Sequence, residues 1–194
     1  MSYRPIADVW MLAHPKLKDG VKYYGAYPAG FLERARTLLG CGLEDPVLHV
    51  CGGMARLYPY VGFGPYDSTL DLDPATEPDF LQDARNPWPA SHPAVVAVDN
   101  PSDSSPWDGI IIDPPYSKVD AEQYVPGAGC YPKPAQLLKR AFEVLPVGRR
   151  VGLLHHVVPR VPPGGKQVAY AAVIVGCNSR IRCFSVIEKR EEVE

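Results

Sequence analysis

The chain has 194 residues, of which 46% are hydrophobic and 22% are charged, and its formal net charge is −2. This composition is that of a soluble globular protein, and the length suits one domain, which we expect to cover residues 1–194. The charge excludes a uniformly basic nucleic-acid binder. The absence of a long apolar run and of a signal-peptide pattern predicts a cytoplasmic protein without a membrane segment. Five cysteines without CxxC spacing predict reduced thiols and no metal site.

The predicted elements alternate between helix and strand along most of the chain. Residues 1–27 show no clear period and are interpreted as an N-terminal extension. Apolar residues at helical spacing predict helices over 31–40, with Gly40 as the stop, and over 134–146, with Pro134 at the start. Apolar runs predict a hairpin at 168–189 and strands at 47–51, 68–73, 79–84, 94–98, 109–112 and 151–158. Of the segments 79–84 and 94–98, one is expected to be an additional strand outside the core pattern.

Strands that alternate with helices indicate an α/β protein whose parallel sheet is covered on both faces. The closing hairpin adds an antiparallel edge to this sheet. Open α/β sheets bind ligands beyond the carboxyl ends of their strands. The residues that follow each predicted strand are therefore the candidate site residues.

Glycines and acids follow the first three predicted strands. Cys51-Gly52-Gly53 ends the first, where glycine lets the backbone approach a ligand closely. Asp71 or Asp73 ends the second, where an acid can accept both hydroxyl groups of a ribose, and Asp83 ends the next. Each feature alone is typical of a tight turn or a helix cap. Together they predict a nucleoside pocket, and the chain has no GxxxxGK[ST] or GxGxxG phosphate loop.

The strongest motif follows the strand at 109–112 and reads Asp113-Pro114-Pro115-Tyr116. Two prolines fix the backbone, so that the carboxylate of Asp113, the carbonyl oxygen of Pro114 and the ring of Tyr116 can face one point. Two acceptors can hold both protons of a planar exocyclic amine, and the aromatic ring can stack on the base that carries it. This arrangement predicts catalysis by positioning and electrostatic preorganisation, without a strong general base. The alternative is a rigid loop after a buried strand.

These motifs, in this order, resemble the class I S-adenosylmethionine-dependent methyltransferases that modify amino groups, such as DNA adenine and cytosine methylases and their RNA-acting relatives. VLHVCGG resembles their first motif, TLDLDP the second, FLQDAR the third and GIIIDPPYS the catalytic fourth. YYGAYPAGFLERARTLL resembles the segment before the first motif, and the closing hairpin resembles their sixth and seventh strands. The resemblance covers about residues 22–189. It implies a Rossmann-like, mostly parallel seven-stranded sheet with helices on both faces and an antiparallel C-terminal hairpin.

The resemblance also implies the cofactor and the residues that act on it. The cofactor is S-adenosyl-L-methionine, and the catalytic residues are Asp113, Pro114, Pro115 and Tyr116. The cofactor-binding residues that it implies are Tyr24, Tyr27, Pro28, Val50, Cys51, Gly52, Gly53, Asp71, Leu72, Asp83 and Ala84.

The expected substrate is DNA, with adenine N6 as the acceptor, because Asp-Pro-Pro-Tyr goes most often with adenine N6 in the family. Two departures from the family pattern keep alternatives open. The chain has Cys51-Gly52-Gly53 where Gly-x-Gly is common, and its core elements leave only 86–107 and 117–132 for target recognition. The preference for a particular target sequence is then expected to be weak, to cover a short sequence, or to be supplied by a partner. The alternatives are an RNA methyltransferase acting on adenine or guanine amines and a non-catalytic methyltransferase-like module.

Three further features are interpreted with less specific roles. The loop at 117–132 suits either a lid over the site or a plain connection. His155 and His156 are adjacent on a predicted strand, so their side chains are expected to point to opposite faces and not to serve one site. Trp88, Trp107 and Tyr131 are expected to pack in the protein more readily than to stack on bases.

Overall fold

The computed structural model describes residues 4–14, 25–58, 60–92, 107–127, 129, 131–176 and 180–192. Within these ranges the chain forms eight strands and three α-helices. In chain order they are β1 (Ile6–Leu12), α1 (Phe31–Leu39), β2 (Val47–Val50), β3 (Ser68–Asp71), β4 (Phe80–Leu81), β5 (Gly109–Ile112), α2 (Lys118–Tyr124), α3 (Pro134–Val144), β6 (Arg150–His155), β7 (Gly165–Val175) and β8 (Ile181–Lys189). None of the described helices has the length and apolar character that crossing a membrane requires.

All eight strands belong to one sheet in the order β1-β7-β8-β6-β5-β2-β3-β4. Every neighbouring pair is parallel except the two pairs that contain β8, which runs antiparallel to both β6 and β7. The mostly parallel sheet with a C-terminal antiparallel hairpin confirms the predicted α/β, Rossmann-like fold. Parallel order also brings the carboxyl ends of β2, β3 and β5 to one edge, where the site lies.

The prediction of seven strands is wrong by one, because residues Ile6–Leu12 of the supposed N-terminal extension form β1 at the edge of the sheet, parallel to β7. Trp10 and Leu12 point into the core, whereas Val9 and Met11 on the other face are largely exposed. Apolar side chains on both faces hide the alternation that normally reveals an edge strand.

Several predicted bounds also change. The strand predicted at 79–84 shrinks to Phe80–Leu81, and the one predicted at 94–98 lies outside the described residues. The first helix ends before Gly40 as predicted, whereas α3 ends at Val144, two residues early.

Alternate residues of the central strands pack against opposite helices. Ile111 contacts the cluster that contains Phe31 and Leu32 of α1, whereas Ile110 and Ile112 contact the cluster that contains Leu137 of α3. Each of these side chains is almost fully buried, and burying one side chain of this size contributes about 1.5–3 kcal/mol. The helices therefore cover both faces of the sheet, as predicted.

A buried polar network holds the chain between β2 and β3. The carboxylate of Asp67 accepts hydrogen bonds from the Arg36 guanidinium at 2.5 Å and from His49 Nε2 at 3.0 Å. It also accepts from the backbone N–H groups of Val47 at 3.2 Å and Gly64 at 2.8 Å. All three side chains are nearly inaccessible to solvent, so the ion pair is compensated inside the core. The network fixes the loop after β2 against α1.

Candidate active site

Two pockets open at the carboxyl ends of the central strands. The first pocket lies between the ends of β2 and β3 and the helix α2, and the second lies between α2 and β8. The first pocket is lined by Gly25, Cys51, Gly53, Met54, Asp71, Leu72, Asp73, Ala75, Thr76, Ala84, Asp113, Pro115, Ala121, Gln123, Tyr124, Val125 and Pro132. The second is lined by Gly25, Ala26, Asp113, Tyr116, Ser117, Val119, Asp120, Gln123, Tyr124, His156, Arg180 and Arg182. Gly25, Asp113, Gln123 and Tyr124 line both, so the two pockets are neighbours, and Asp113 is the acidic residue that they share.

The loop after β2 is held against the segment before α1. Cys51 and Gly53 have left-handed backbone angles, with φ of 53° and 52°. A Cβ atom on Gly53 would lie 2.5 Å from the carbonyl oxygen of Gly25, which no side chain can do without moving the backbone. Glycine at 53 is therefore required by the close approach of these two backbones. The contact places Gly25 at the boundary of both pockets.

Asp71 ends β3 and organises the floor of the first pocket. One carboxylate oxygen accepts a hydrogen bond from Gly53 N and the other from Asp73 N, both at 3.0 Å. Burial raises the pKa of Asp71, although these backbone donors oppose the shift. A carboxylate has about four lone-pair positions, so Asp71 retains acceptor capacity for hydroxyl donors in the pocket. Leu72 lines the pocket beside it.

The predicted third motif contributes to the first pocket through Ala84. The carboxylate of Asp83 accepts two short hydrogen bonds from its neighbour Arg85, from Nε at 2.9 Å and from Nη2 at 2.6 Å. Asp83 is not among the lining residues of either pocket, whereas the next residue, Ala84, lines the first. The part of the third motif that faces the pocket is apolar.

The predicted residues before α1 lie at different depths. Tyr27 is fully buried and stacks on Phe31, and burial raises its pKa well above the usual value. Pro28 is also buried, and its carbonyl oxygen accepts from Phe31 N. Tyr24 lies outside the described residues. From this segment, Gly25 and Ala26 reach the pockets instead.

Val50 and Gly52, the remaining predicted residues of the first motif, contribute to the site through the position of the backbone. Val50 is the buried last residue of β2, and its carbonyl oxygen accepts from Asp113 N at 3.1 Å. Gly52 is buried in the loop behind the first pocket. These two residues set the positions of Gly53 and Asp113 without lining a pocket themselves.

Asp113 follows the fully buried β5, so its position is fixed by the central strand of the sheet. The Tyr116 hydroxyl donates a hydrogen bond of 2.7 Å to Asp113 Oδ1. Burial raises the pKa of Asp113, and the guanidinium of Arg182 and the bond from Tyr116 partly offset that rise. Pro115 lines the first pocket, whereas Pro114 is buried and lines neither. The motif thus presents a carboxylate to both pockets and an aromatic ring to the second.

The two histidines at the end of β6, His155 and His156, both contact the Tyr116 ring, so the expectation that they cannot serve one site is wrong. The ring centroid of Tyr116 lies 5.4 Å from that of His155 and 4.4 Å from that of His156, both edge to face. β6 ends at His155, so the alternation of a strand no longer governs His156. The His156 Nδ1 atom lies 3.0 Å from the carbonyl oxygen of Ile181, which ties this turn to β8.

The chain after Tyr116 forms the wall between the pockets. Residues Lys118–Tyr124 make α2, and the Ser117 side chain caps it by accepting from Asp120 N at 3.1 Å. Gln123 and Tyr124 at its end face both pockets. This segment is therefore more than a plain connection, because it forms a helix whose residues line both pockets.

Two of the three aromatic residues considered as base-stacking groups pack inside the protein. Trp88 and Trp107 are buried, and their indole N–H groups donate to the carbonyl oxygens of Ala84 and Pro89, each at 2.8 Å. The Tyr131 hydroxyl donates to the Tyr116 carbonyl oxygen at 3.2 Å and so holds the backbone of the Asp113-to-Tyr116 motif.

No protein-family model matches the sequence, and no curated protein is similar to it in sequence. Several solved structures share its fold. TrmN from Thermus thermophilus superimposes with a TM-score of 0.54 at 20% identity, over 85% of this chain and 50% of TrmN. This chain thus spans half the length of TrmN. HI0767 from Haemophilus influenzae, assigned to the methylases, gives 0.50 at 12% identity over 83% and 89% of the two chains.

An rRNA methylase from Streptococcus thermophilus gives a TM-score of 0.43 at 11% identity over 82% and 97% of the two chains. The first two similarities agree with the strand order and the antiparallel β8 described above. The chain has the class I, Rossmann-like methyltransferase fold, with the site at the edge of the sheet where this fold binds ligands.

Several pocket residues were not predicted from the sequence. Met54, Ala75 and Thr76 lie in the irregular segments after β2 and β3, and Gln123 and Tyr124 lie on α2. Arg180 and Arg182 come from the start of β8, far along the chain from the motifs. A single sequence carries no signal for such a long-range contact, whereas both acids that were candidates after the second predicted strand, Asp71 and Asp73, line the first pocket.

Proposed function

We propose that this chain is an enzyme that transfers a methyl group from S-adenosyl-L-methionine to an exocyclic amino nitrogen of a nucleobase in a nucleic acid. The observation that supports the proposal most directly is that Asp113 is one of the residues that line both pockets. One pocket suits a nucleoside cofactor and the other an aromatic amine. A carboxylate at their junction is placed where the acceptor nitrogen and the methyl donor have to meet.

The residues of the first pocket fit S-adenosyl-L-methionine. The cofactor supplies an electrophilic methyl group on a sulfonium sulfur. Asp71 has acceptor capacity for ribose hydroxyls, and the side chains of Met54, Leu72 and Ala84 offer an apolar wall for the adenine. The Gly53 loop provides backbone at close range, and the chain contributes no phosphate-binding loop, as a nucleoside without phosphates requires.

The residues of the second pocket fit a nucleobase amine. Asp113 accepts a hydrogen bond from the amine, which raises electron density on the nitrogen that attacks the methyl carbon. The same carboxylate can take the proton that the nitrogen loses after the methyl group is transferred. The Tyr116 ring offers a stacking surface, and Arg180 brings positive charge to the rim of the pocket, where a phosphate backbone passes.

RNA is the better-supported nucleic acid. All the described strands belong to one sheet, and no segment in the described part of the chain forms a target-recognition unit apart from this sheet and its helices. Proteins usually reach specific bases in RNA where they are already unstacked in loops and bulges. A compact protein can reach such a base without opening a duplex. DNA adenine N6 remains a second candidate because the intact Asp113-to-Tyr116 motif favours it through the family resemblance. A base in duplex DNA must first be flipped out of the stack.

The test is transfer of labelled methyl from S-adenosyl-L-methionine to total RNA and, in parallel, to unmethylated genomic DNA, followed by nucleoside mass spectrometry. We expect an N-methylated amino base in RNA. An Asp113→Ala variant should lose transfer by at least about a hundredfold while it still binds the cofactor. Asp108→Asn, at a surface pair with Arg149, is the matched control and should keep activity. Label in DNA alone would select the second candidate, and normal turnover by Asp113→Ala would refute the assigned role. Cofactor binding without any transfer would favour the non-catalytic module.

A further inference from the structure

Arg182 lies on β8, far along the chain from the Asp113-to-Tyr116 motif, and its guanidinium group contacts Tyr116. We propose that Arg182 is a positioning residue that orients the Tyr116 hydroxyl toward Asp113 and places a positive charge beside the Asp113 carboxyl group. This inference rests on the methyl transfer proposed above, because it assigns a residue to that same site. Arg182 itself lies outside the four strand-end motifs identified in the sequence.

Two hydrogen bonds in series connect the three side chains. Arg182 Nη1 donates to the Tyr116 hydroxyl oxygen at 3.0 Å, and the hydroxyl donates to Asp113 Oδ1 at 2.7 Å. A guanidinium group has donors but no acceptor, so the tyrosine oxygen must be the acceptor in the first bond. Its single proton then has to go to Asp113. The direction of the whole chain of bonds is therefore fixed by the presence of an arginine.

The sheet holds Arg182 in this position. Residues of β8 pair with β6 in antiparallel register, with Cys183 opposite His155. Arg182 precedes Cys183, so it lies at the level of the turn that carries His156. The Arg182 Nε atom is buried and has no hydrogen-bond partner among the described residues.

The charges around Asp113 show why a cation matters there. Burial raises the pKa of Asp113, and Arg182 is the largest influence that lowers it, followed by Tyr116 and His156. The other titratable groups that line the second pocket are Asp120, Tyr124 and Arg180. A protonated carboxyl group cannot accept hydrogen bonds from an amine with both oxygens or take its proton. Without the cation, Asp113 would therefore be protonated, and inactive, up to a higher pH.

A purely structural role makes different predictions. If Arg182 only anchored β8, its replacement would lower thermal stability and leave the pH dependence of the chemical step unchanged. If it only contacted substrate phosphates, its replacement would raise KM for the nucleic acid and leave kcat unchanged. A positioning role changes kcat and its pH dependence.

The experiment compares Arg182→Gln, which keeps an N–H donor without the charge, with Arg182→Lys, which keeps the charge. Arg34→Gln, at an exposed arginine of α1 that lines neither pocket, is the matched control. We expect Arg182→Gln to move the acid limb of kcat to higher pH and to lower kcat by about tenfold near neutrality. Arg182→Lys should leave the acid limb at the wild-type pH. An unchanged acid limb in Arg182→Gln, or a loss confined to KM or to thermal stability, would overturn the proposal.

A second measurement needs neither substrate nor cofactor. Carboxyl carbon NMR can follow the titration of Asp113 in the wild-type protein and the two Arg182 variants. We expect a higher Asp113 pKa in Arg182→Gln and little change in Arg182→Lys. If this shift occurs in a protein that transfers no methyl group, the proposed function fails while the positioning role stands. An Asp113 titration that does not respond to Arg182→Gln would refute the positioning role, whatever the activity.

Discussion

Replacing Gly53 by alanine should damage both stability and cofactor binding, because Gly53 is where the two backbones around the first pocket meet. The new Cβ would lie 2.5 Å from the Gly25 carbonyl oxygen and 3.1 Å from the Gly25 Cα. At φ of 52° the left-handed conformation also destabilises the folded state of an alanine variant by about 1–2 kcal/mol. Forcing an atom into a closely packed site costs about 1–3 kcal/mol more.

Alanine also lowers the conformational entropy of the unfolded chain, and this effect stabilises the folded state by about 0.4–1 kcal/mol. The net loss is therefore about 1–5 kcal/mol in the free energy of unfolding. Gly148→Ala is the matched control, because Gly148 has φ of 88° and no atom lies within 4 Å of the point that a Cβ would occupy there. That variant carries the left-handed cost alone and should lose only about 1 kcal/mol.

Urea denaturation measures both free energies, and calorimetric titration with S-adenosyl-L-methionine measures the affinity. We expect Gly53→Ala to weaken cofactor binding at least tenfold and Gly148→Ala to leave it unchanged, since only Gly53 lines the first pocket. Equal destabilisation by the two variants would show that Gly53 and Gly25 are not in contact. Wild-type affinity in Gly53→Ala would show that their contact does not shape the cofactor site.

Two further predictions concern acids with different partners. Asp71→Ala should weaken binding of S-adenosyl-L-methionine by about 10- to 150-fold in calorimetry, because a hydrogen bond to a charged group contributes about 1.5–3 kcal/mol; unchanged affinity would remove Asp71 from the cofactor site. Asp67→Asn should lower the free energy of unfolding by about 3–5 kcal/mol, because it leaves the buried Arg36 without its carboxylate. Asp108→Asn, which breaks the half-exposed pair with Arg149, should cost under about 1 kcal/mol in the same urea titration, and equal losses in the two variants would contradict the importance of burial.

The parts of the fold that the sequence predicts well are those with a strong local pattern. The buried run at β5 and the amphipathic faces of α1 and α3 all form where expected. Strand β1 was missed because the burial that makes Trp10 a core residue depends on β7, a partner more than 150 positions away. No local pattern encodes that pairing.

The candidate site likewise contains residues that a local pattern predicts and residues that it does not predict. Asp71 and Asp113 follow strands whose ends the sequence marks, and the structure brings both to the first pocket. Tyr27 lies in the same predicted motif as Gly25, but packing buries the tyrosine and leaves the glycine at the pocket. Which residue of a loop faces a ligand depends on the surrounding core, and local spacing does not determine it. Arg182 shows the limit most clearly, because its position depends on the pairing of β8.

The place of β8 in the sheet also determines when the sheet can be completed during synthesis. β8 is the last of the eight strands in chain order, yet it lies between β6 and β7, and β1 and β7 join the rest of the sheet only through it. A nascent chain that has reached β6 can already assemble the strands around the first pocket. It has no Arg182 and no partner for the edge formed by β6. Strand β1 can therefore join the rest of the sheet only after β8 is made, and Asp113 and Tyr116 meet Arg182 only when β8 is inserted.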